Sequence, residues 1–450
     1  MADAAPLHPL RIADFRAYWL SRFAGTIAIS AQGIIIGWQV YGLARERLGY
    51  SIEQAASLLG LIGLAQFVPL FLLTPVVGLA ADTFDRRWIV RGTTALLVVN
   101  AVMLGLLTRF GALTLPFLYT AAVFVGVARA FSGPAYGALA PNLVPRESLP
   151  TAIAISTLAW QTGTIAGPSV GGLLYAVYPD LAYATVAVLL VVALGLMFLI
   201  GPVPQPPAQS DRHPLQRILD GFSYVRRNRL VLAAITLDLF VVLLAGSTAL
   251  LPIYARDILH VGAQGLGFLA AGMGIGAAIA SIWFSIRPMK KDVGVKMLAC
   301  VVVFALAILT FGVATRLTDA LGITRMVVAG HAVSGDFVLS MIALIVAGAA
   351  DMVSVYVRTS LIQLHTPDAM RGRVGAVSQL TISASNELGE AESGLMASLL
   401  GPVGAVVAGG AAAVAVTLAW SRLFPELRRA RTFDPPETLE PEATHGVTAP

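Results

Sequence analysis

The stretch PVPQPPAQSDRHPLQRILDGFSYVRRNR, Pro202 to Arg229, is the longest polar interruption in a chain of 450 residues, and its position decides the architecture. Six long apolar runs precede it, at 17–43, 54–77, 88–108, 116–139, 151–177 and 181–201. Six follow it, at 231–254, 264–286, 294–315, 337–361, 374–400 and 404–421. Each is close to the roughly 20 residues a helix needs to cross a bilayer, where backbone N–H and C=O groups have no water to bond. The pattern predicts an all-α membrane protein of twelve transmembrane helices in two six-helix bundles, 1–201 and 231–421. Between them, 202–230 reads as a Pro-rich linker, PVPQPPAQ, followed by an amphipathic helix, HPLQRILDGFSYVRRN, on the membrane surface. The Pro- and Glu-rich end, 422–450, is expected to be a disordered tail.

Composition excludes the soluble classes. The chain is 57% hydrophobic and 12% charged, with a mean hydropathy of +0.79, against roughly 25% charged residues in soluble domains. A net charge of +5 would suit a nucleic-acid partner if the cations formed one stripe, but they recur in short loops between apolar runs. With the N-terminus in the cytoplasm, the outer loops hold only Arg45, Arg47, Arg109, Arg256, Arg316 and Arg325, while Arg129 and Arg358 lie within spans. Every other Lys and Arg then falls inside, which predicts that both termini are cytoplasmic. A single cysteine, Cys300, and scattered histidines give no disulfide or metal spacing. There is no HExxH and no GxxxxGK[ST], so neither a cofactor nor an ATP motor is expected. The opening MADAAPLHPLRIADFRAYWLSRF runs straight into the first span and has no cleavable leader pattern.

Three motifs carry mechanism. The loop after the second span reads Gly78-Leu-Ala-Ala-Asp82-Thr-Phe-Asp85-Arg86-Arg87. Gly78 permits close helix approach, Asp82 can cap the third helix, and Arg86 and Arg87 can pair with carboxylates or lipid phosphates. The fifth span contains Gly163-Thr-Ile-Ala-Gly167-Pro168-Ser-Val-Gly171-Gly172. Glycines at every fourth position make a groove for another helix, and Pro168 removes a backbone bond and permits bending. The third motif is a set of intramembrane charges: Arg129 in the fourth span, Asp238 in the seventh, Asp351 in the tenth, and Glu387, Glu390 and Glu392 in the eleventh. Such charges face a cavity or a partner rather than lipid. Glu387 and Glu390 share a helix face, with Glu392 about 140° round. Neighbouring carboxylates in an apolar bundle suit proton carriage, because burial and repulsion both disfavour the second charge. Structural pairing with Arg86, Arg87 or Arg129 is the alternative, and Asp351 could equally neutralise Arg358, two turns along its helix. The halves also match at a shift of 222, which brings Gly126 onto Gly348, Arg129 onto Asp351, Gly167 onto Gly389 and Gly172 onto Gly394.

These motifs resemble the major facilitator superfamily. The 78–87 loop is similar to the family's G-x-x-x-D-R-x-G-R-R signature, with Thr83 and Asp85 departing from it. Arg129-Ala-Phe-Ser-Gly133 resembles its R-x-x-q-G element, and 163–172 matches its G-x-x-x-G-P-x-x-G-G antiporter motif at every fixed position. The resemblance covers about residues 10–425. Together with DFRAYWLSR and SNELGE, it points to the drug:proton antiporter branch that includes an enterobactin exporter and macrolide efflux proteins.

The resemblance implies the major facilitator fold, a conformational latch at Gly78, Asp82, Arg86 and Arg87, and a hinge at Gly163, Gly167, Pro168, Gly171 and Gly172. Proton coupling would fall among Arg129, Asp238, Asp351, Glu387, Glu390 and Glu392, and spans 1, 4, 7 and 10 would line a central cavity. Gln32, Trp38, Gln39, Phe131, Tyr136, Phe240 and Tyr356 on those spans would suit an amphipathic organic substrate. The expectation is a monomeric, proton-coupled exporter in the inner membrane, with small-molecule substrate, protons and lipid as its partners. An importer, a uniporter and a non-cycling sensor are the rival readings; an enzyme is disfavoured because no nucleophile–base pair is visible.

Overall fold

The computed structural model describes residues 8–202, 214–287, 289–323, 325–328 and 331–433. The first bundle contains α1 (Ala13–Gly42), α2 (Ile52–Thr83), α3 (Arg86–Arg109), α4 (Leu115–Leu139), α5 (Leu149–Val177) and α6 (Pro179–Phe198). After α7 (Pro214–Arg227), the second contains α8 (Arg229–Leu244) with its continuation α9 (Leu251–Ile253), α10 (Gly262–Ile286), α11 (Val293–Gly312), the short α12 (Ala314–Ala320), α13 (Gly335–Leu364) and α14 (Asp368–Leu423). Ten described segments are long and apolar enough to cross a membrane. One of them, Met370–Leu423, holds two of the expected spans. Its helix turns at Gly401, where φ is 73° and ψ 162°, and Pro402 follows; a side chain at that φ would be strained. The twelfth span is α5, which has the length but carries Ser156, Thr157, Gln161, Thr162, Thr164 and Ser169 and falls outside those ten.

Local chemistry sets several boundaries. Asp85 caps α3, its carboxylate accepting from Arg87 N at 2.9 Å, and Asn228 caps α8 through Val231 N at 3.2 Å. Between α12 and α13 the chain forms a two-stranded antiparallel hairpin, Arg325–Val328 with His331–Ser334, an addition to the expected all-helical pattern. We call its end of the molecule the hairpin face and the opposite end, where α7 lies, the linker face.

The amphipathic segment is not laid loosely on a surface. Val225 of α7 is buried with Ile235, Val374 and Val377, Asp220 accepts from Arg373 at 3.1 Å, and Tyr224 donates to the His365 carbonyl at 2.8 Å. α7 is therefore a fixed part of the second bundle. The expected tail also begins later than 422. α15 (Pro425–Arg429) buries Leu427 completely, Gly294 N donates to the Ala430 carbonyl at 3.0 Å, and the Phe433 ring meets Tyr356 at 5.7 Å. Apolar side chains at Leu427 and Phe433 hold this stretch down; the Pro- and Glu-rich part beyond 433 and the linker at 203–213 lie outside the described residues.

Glycine governs how the helices meet. In α5, Gly163, Gly167 and Gly171 form a groove for α1: a Cβ at Gly167 would stand 2.5 Å from Ser30 Cβ and 2.7 Å from the Ile27 carbonyl, and one at Gly171 2.7 Å from the Ala31 carbonyl. Gly172 turns to the other bundle, where a Cβ would lie 2.6 Å from Gly267 Cα on α10. Gly394, its match at a shift of 222, stands in the same relation to Gly60 on α2, at 2.5 Å. The two bundles thus touch along a pair of repeat-related seams, α2 on α14 and α5 on α10, through residues with no side chain. Gly167→Val forces β-branched bulk against α1 backbone and is expected to cost about 1–3 kcal/mol, lowering the melting temperature of purified protein by several degrees. Gly33→Ala, which meets nothing within 4 Å, should leave it unchanged. Equal melting of the two variants contradicts this packing.

Candidate functional site

Between the seams lies a cavity of about 1780 Å³. Its walls come from both bundles, and its lining runs from Arg86 and Arg373 at the linker face to Gly37, Leu251 and Pro252 toward the hairpin face. At the hairpin-face end, its blind end, the two bundles are joined by side chains.

The blind end is closed by a reciprocal set of contacts. α1 finishes in a π-helical turn, Leu43–Arg47, and α9 runs into another, Tyr254–Ile258. Their hydrogen bonds correspond one for one: Leu48 N to Leu43 O at 3.1 Å and Tyr50 N to Ala44 O at 3.0 Å, against Leu259 N to Tyr254 O and Val261 N to Ala255 O, both at 2.8 Å. Gly49 and His260 then both take positive φ, 66° and 53°. These turns hold Ala44-Arg45-Glu46 opposite Ala255-Arg256-Asp257. Arg45 pairs with Asp257 at 3.5 Å and Arg256 with Glu46, while Tyr41 donates to Asp257 and the Arg256 guanidinium stands 5.3 Å over the Trp38 ring. The match between the two Ala-Arg-acid triplets, 211 residues apart, was the sequence signal for this closure.

At membrane depth the charges sort into two kinds of pair. Arg129 on α4 is bonded to Glu387 on α14, across the two bundles, and also donates to Gln66 Oε1 at 3.3 Å. Glu387 is buried, and its second oxygen has no partner among the described residues. Arg358 pairs with Asp238 inside the second bundle, both side chains buried, so Asp351 is not the neutralising group for Arg358. Asp351 and Glu390 instead line the cavity, with no hydrogen bond among the described residues. Neither Asp238 nor Glu392 lines it.

Of the seven residues expected to contact substrate, only Tyr136 lines the cavity. Gln32 is fully buried within the first bundle, and Gln39 is tied there by Thr108 at 3.0 Å and Tyr183 at 2.6 Å. Trp38 belongs to the hairpin-face closure. Phe131 packs beside Leu73 and Leu380, Phe240 on Trp420 at 5.2 Å, and Tyr356 stacks on Phe284 at 5.1 Å.

The loop after α2 makes its described contacts within the first bundle. Arg86 donates to the Ala138 carbonyl at 3.0 Å, and Arg87 holds Asp85 and the Ile200 carbonyl. The backbone of Gly78 and Asp82 continues α2, and their side-chain surroundings lie outside the described residues. Hydrogen bonding from Arg87 holds the Asp85 carboxyl below its ordinary range. Its contribution to stability is therefore complete above the ordinary carboxylate value and fades as pH falls through the lowered one.

Two six-helix bundles of membrane-spanning helices around a shared cavity are the architecture of a membrane transporter. The chain belongs to the transmembrane secretion effector family of the major facilitator superfamily, whose model matches residues 4–435. Relatives are the enterobactin exporter EntS of Escherichia coli O1:K1, 27% identical over 437 residues with 94% of this chain and 95% of the relative covered, and that of Escherichia coli O139:H28, 26% identical over 432 residues with the same shares. Solved structures with the same fold include a POT family transporter in complex with 5-aminolevulinic acid (TM-score 0.70, 12% identity, covering 92% of this chain and 96% of that one) and a D-xylose-proton symporter (TM-score 0.68, 14% identity, 92% and 98%). A bacterial homolog of the human lysosomal transporter Spinster scores 0.65 at 15% identity, with 94% and 99% covered. The chain is a multi-pass membrane transporter, not an enzyme.

Exposed ion pairs are worth about 0.2–1 kcal/mol each, so the reciprocal pairs bias the hairpin-face closure rather than lock it. Glu46→Arg with Asp257→Arg gathers four guanidiniums there. Spin labels at Phe110 and Leu321, in a Cys300→Ser background, should then report a population with longer separation increased about tenfold, and reversing Arg45 and Arg256 to Glu as well should restore the shorter one. An unchanged distance distribution contradicts the closure.

Proposed function

We propose that the protein exports a small amphipathic organic molecule across the bacterial inner membrane by alternating access, coupled to protons moving inward. In this reading the linker face is cytoplasmic, as are both termini, and the cavity is open to the cytoplasm. The concentration of Lys and Arg in the loops of that face supports the orientation. The units 1–201 and 231–421 act as a monomer, with 202–230 joining them.

The observation that carries the proposal is the arrangement of acids around the cavity. Glu390 and Asp351 face it without an ion-pair contact among the described residues, while Glu387, one turn from Glu390, is held by Arg129 across the bundles. A proton arriving at Glu390 changes the field on the Arg129–Glu387 pair, the only charge contact at membrane depth between the bundles among the described residues, and so links protonation to their separation. Gly163, Gly167, Pro168, Gly171 and Gly172 serve as the hinge, and Arg86 and Arg87 belong to the latch on the cytoplasmic side. A proton crossing 100 mV releases about 2.3 kcal/mol from voltage alone, enough to drive uphill export. The relatives named as enterobactin exporters support outward transport of an organic cargo.

The test is uptake of a fluorescent amphiphile into inverted vesicles carrying a pH gradient. Wild-type protein should accumulate it. Glu390→Gln should lower gradient-driven uptake at least tenfold while keeping exchange of the amphiphile at equilibrium. If Glu387→Gln, Glu390→Gln and Asp238→Asn all retain gradient-driven uptake, proton coupling through these acids is wrong.

A further inference from the structure

The cavity wall contributed by the first bundle carries a cation whose partners are all neutral. Arg22 lies nine residues into α1, about 14 Å along the helix from its start. Its Nη1 donates to Ser156 Oγ at 2.7 Å and to Tyr18 Oη at 2.9 Å. Tyr18 in turn donates to the Tyr136 carbonyl at 3.0 Å, and the guanidinium stands 5.8 Å from the centre of the Tyr136 ring. Three helices, α1, α4 and α5, thus hold the guanidinium through hydroxyls and an aromatic face. Its Nη2 and Nε make no hydrogen bond among the described residues, and the side chain lines the cavity.

The contrast with the other cavity arginines is what gives this meaning. Arg129 is neutralised by Glu387, and Arg373 by Asp220 at 3.1 Å. Arg22 has no carboxylate partner among the described residues, nor has Arg86, which sits nearer the mouth on the carbonyl of Ala138, two residues along α4 from Tyr136. The carboxylates that line the cavity, Asp351 and Glu390, come from the opposite bundle. A guanidinium fork fixed at one end with free N–H groups at the other matches the geometry of an oxyanion. Beside it, one turn along α5 from Ser156, Trp160 lines the same wall and is 46% exposed, offering an aromatic face to an apolar body.

We propose that Arg22 is the binding group for an oxyanion of the transported molecule, with Arg86 as an earlier contact at the mouth, and hence that the cargo is an amphipathic organic anion carrying an aromatic or other flat apolar body. The cargo then lies on the wall of the first bundle and the coupling protons on that of the second. This rests on the transport reading above but is tested by binding alone.

The probes are three compounds of one shape: 1-naphthalenesulfonate, 1-naphthalenemethanol and 1-naphthylmethylammonium. Binding to the full chain in lipid nanodiscs is read by equilibrium dialysis against empty nanodiscs. The sulfonate should bind saturably, and at least tenfold more tightly than the alcohol or the ammonium. Arg22→Gln should weaken the sulfonate at least tenfold and leave the alcohol unchanged, Arg22→Lys should weaken it less, and Glu390→Gln should not weaken it. Should Arg22→Gln not fold, Ser156→Ala releases the guanidinium from its anchor while keeping its charge and should cost several-fold. Ammonium binding equal to or tighter than sulfonate, or sulfonate affinity indifferent to both Arg22→Gln and Ser156→Ala, overturns the proposal. Arg22-dependent sulfonate binding without any gradient-driven flux would sink the transport reading and leave this one standing; flux of a cationic amphiphile without sulfonate binding would do the reverse.

Discussion

On the proposed transport cycle the two bundles must be held together tightly enough to seal one face and loosely enough to part, and the contact between the ends of α1 and α9 suits that constraint. Arg45 with Asp257 and Arg256 with Glu46 form one interaction made twice, each bundle supplying the cation to the other's acid. Both pairs have water at hand, so each is worth little and can be replaced by hydration when the face opens. The seams beneath them follow the same logic. Gly60 against Gly394 and Gly172 against Gly267 bring backbones into contact without interlocking side chains, so sliding or parting there disrupts little dispersion energy.

Deeper in the membrane, the charges divide by what each must do. Arg358 and Asp238 are both buried and both in the second bundle, so their pair stays intact in any rigid-body motion of the halves. Arg129 and Glu387 belong to different bundles, and their pair cannot survive separation at that level without replacement by water, cargo or a proton. The cavity wall is likewise divided, unpaired guanidiniums on the first bundle and unpaired carboxylates on the second among the described residues. Such a polarised chamber orients a dipolar or anionic guest before any close contact forms.

Much of this was legible in the chain itself. Span number, the break at 202–230 and the four-residue glycine spacing of α5 are local properties of hydropathy and backbone, and local properties survive folding. Rotation about each helix axis is different. A helix apolar on all sides gives no stripe by which to phase it, so Gln32, Gln39, Phe131, Phe240 and Tyr356 could be assigned to the right helices and still face away from the cavity. Partner choice failed for a related reason: Asp351 lies two turns from Arg358 on one helix, yet Asp238 reaches it from another. Tyr136 was recognisable as an aromatic on α4, whereas Arg22 looked like one more basic residue of the N-terminal segment, its place on the cavity wall set by Ser156 and Tyr18 from the folded chain.

In the proposed state the cavity opens at the linker face while the reciprocal pairs shut the hairpin face. A single cysteine in place of Thr164, which lines the cavity on α5, in a Cys300→Ser background reports this through its rate of reaction with a membrane-impermeant maleimide applied from each side of sealed vesicles. Labelling should be fast from the linker side and slow from the hairpin side, with the hairpin-side rate rising when both reciprocal pairs are broken. Equal rates from the two sides, or a hairpin-side rate untouched by loss of both pairs, would contradict it.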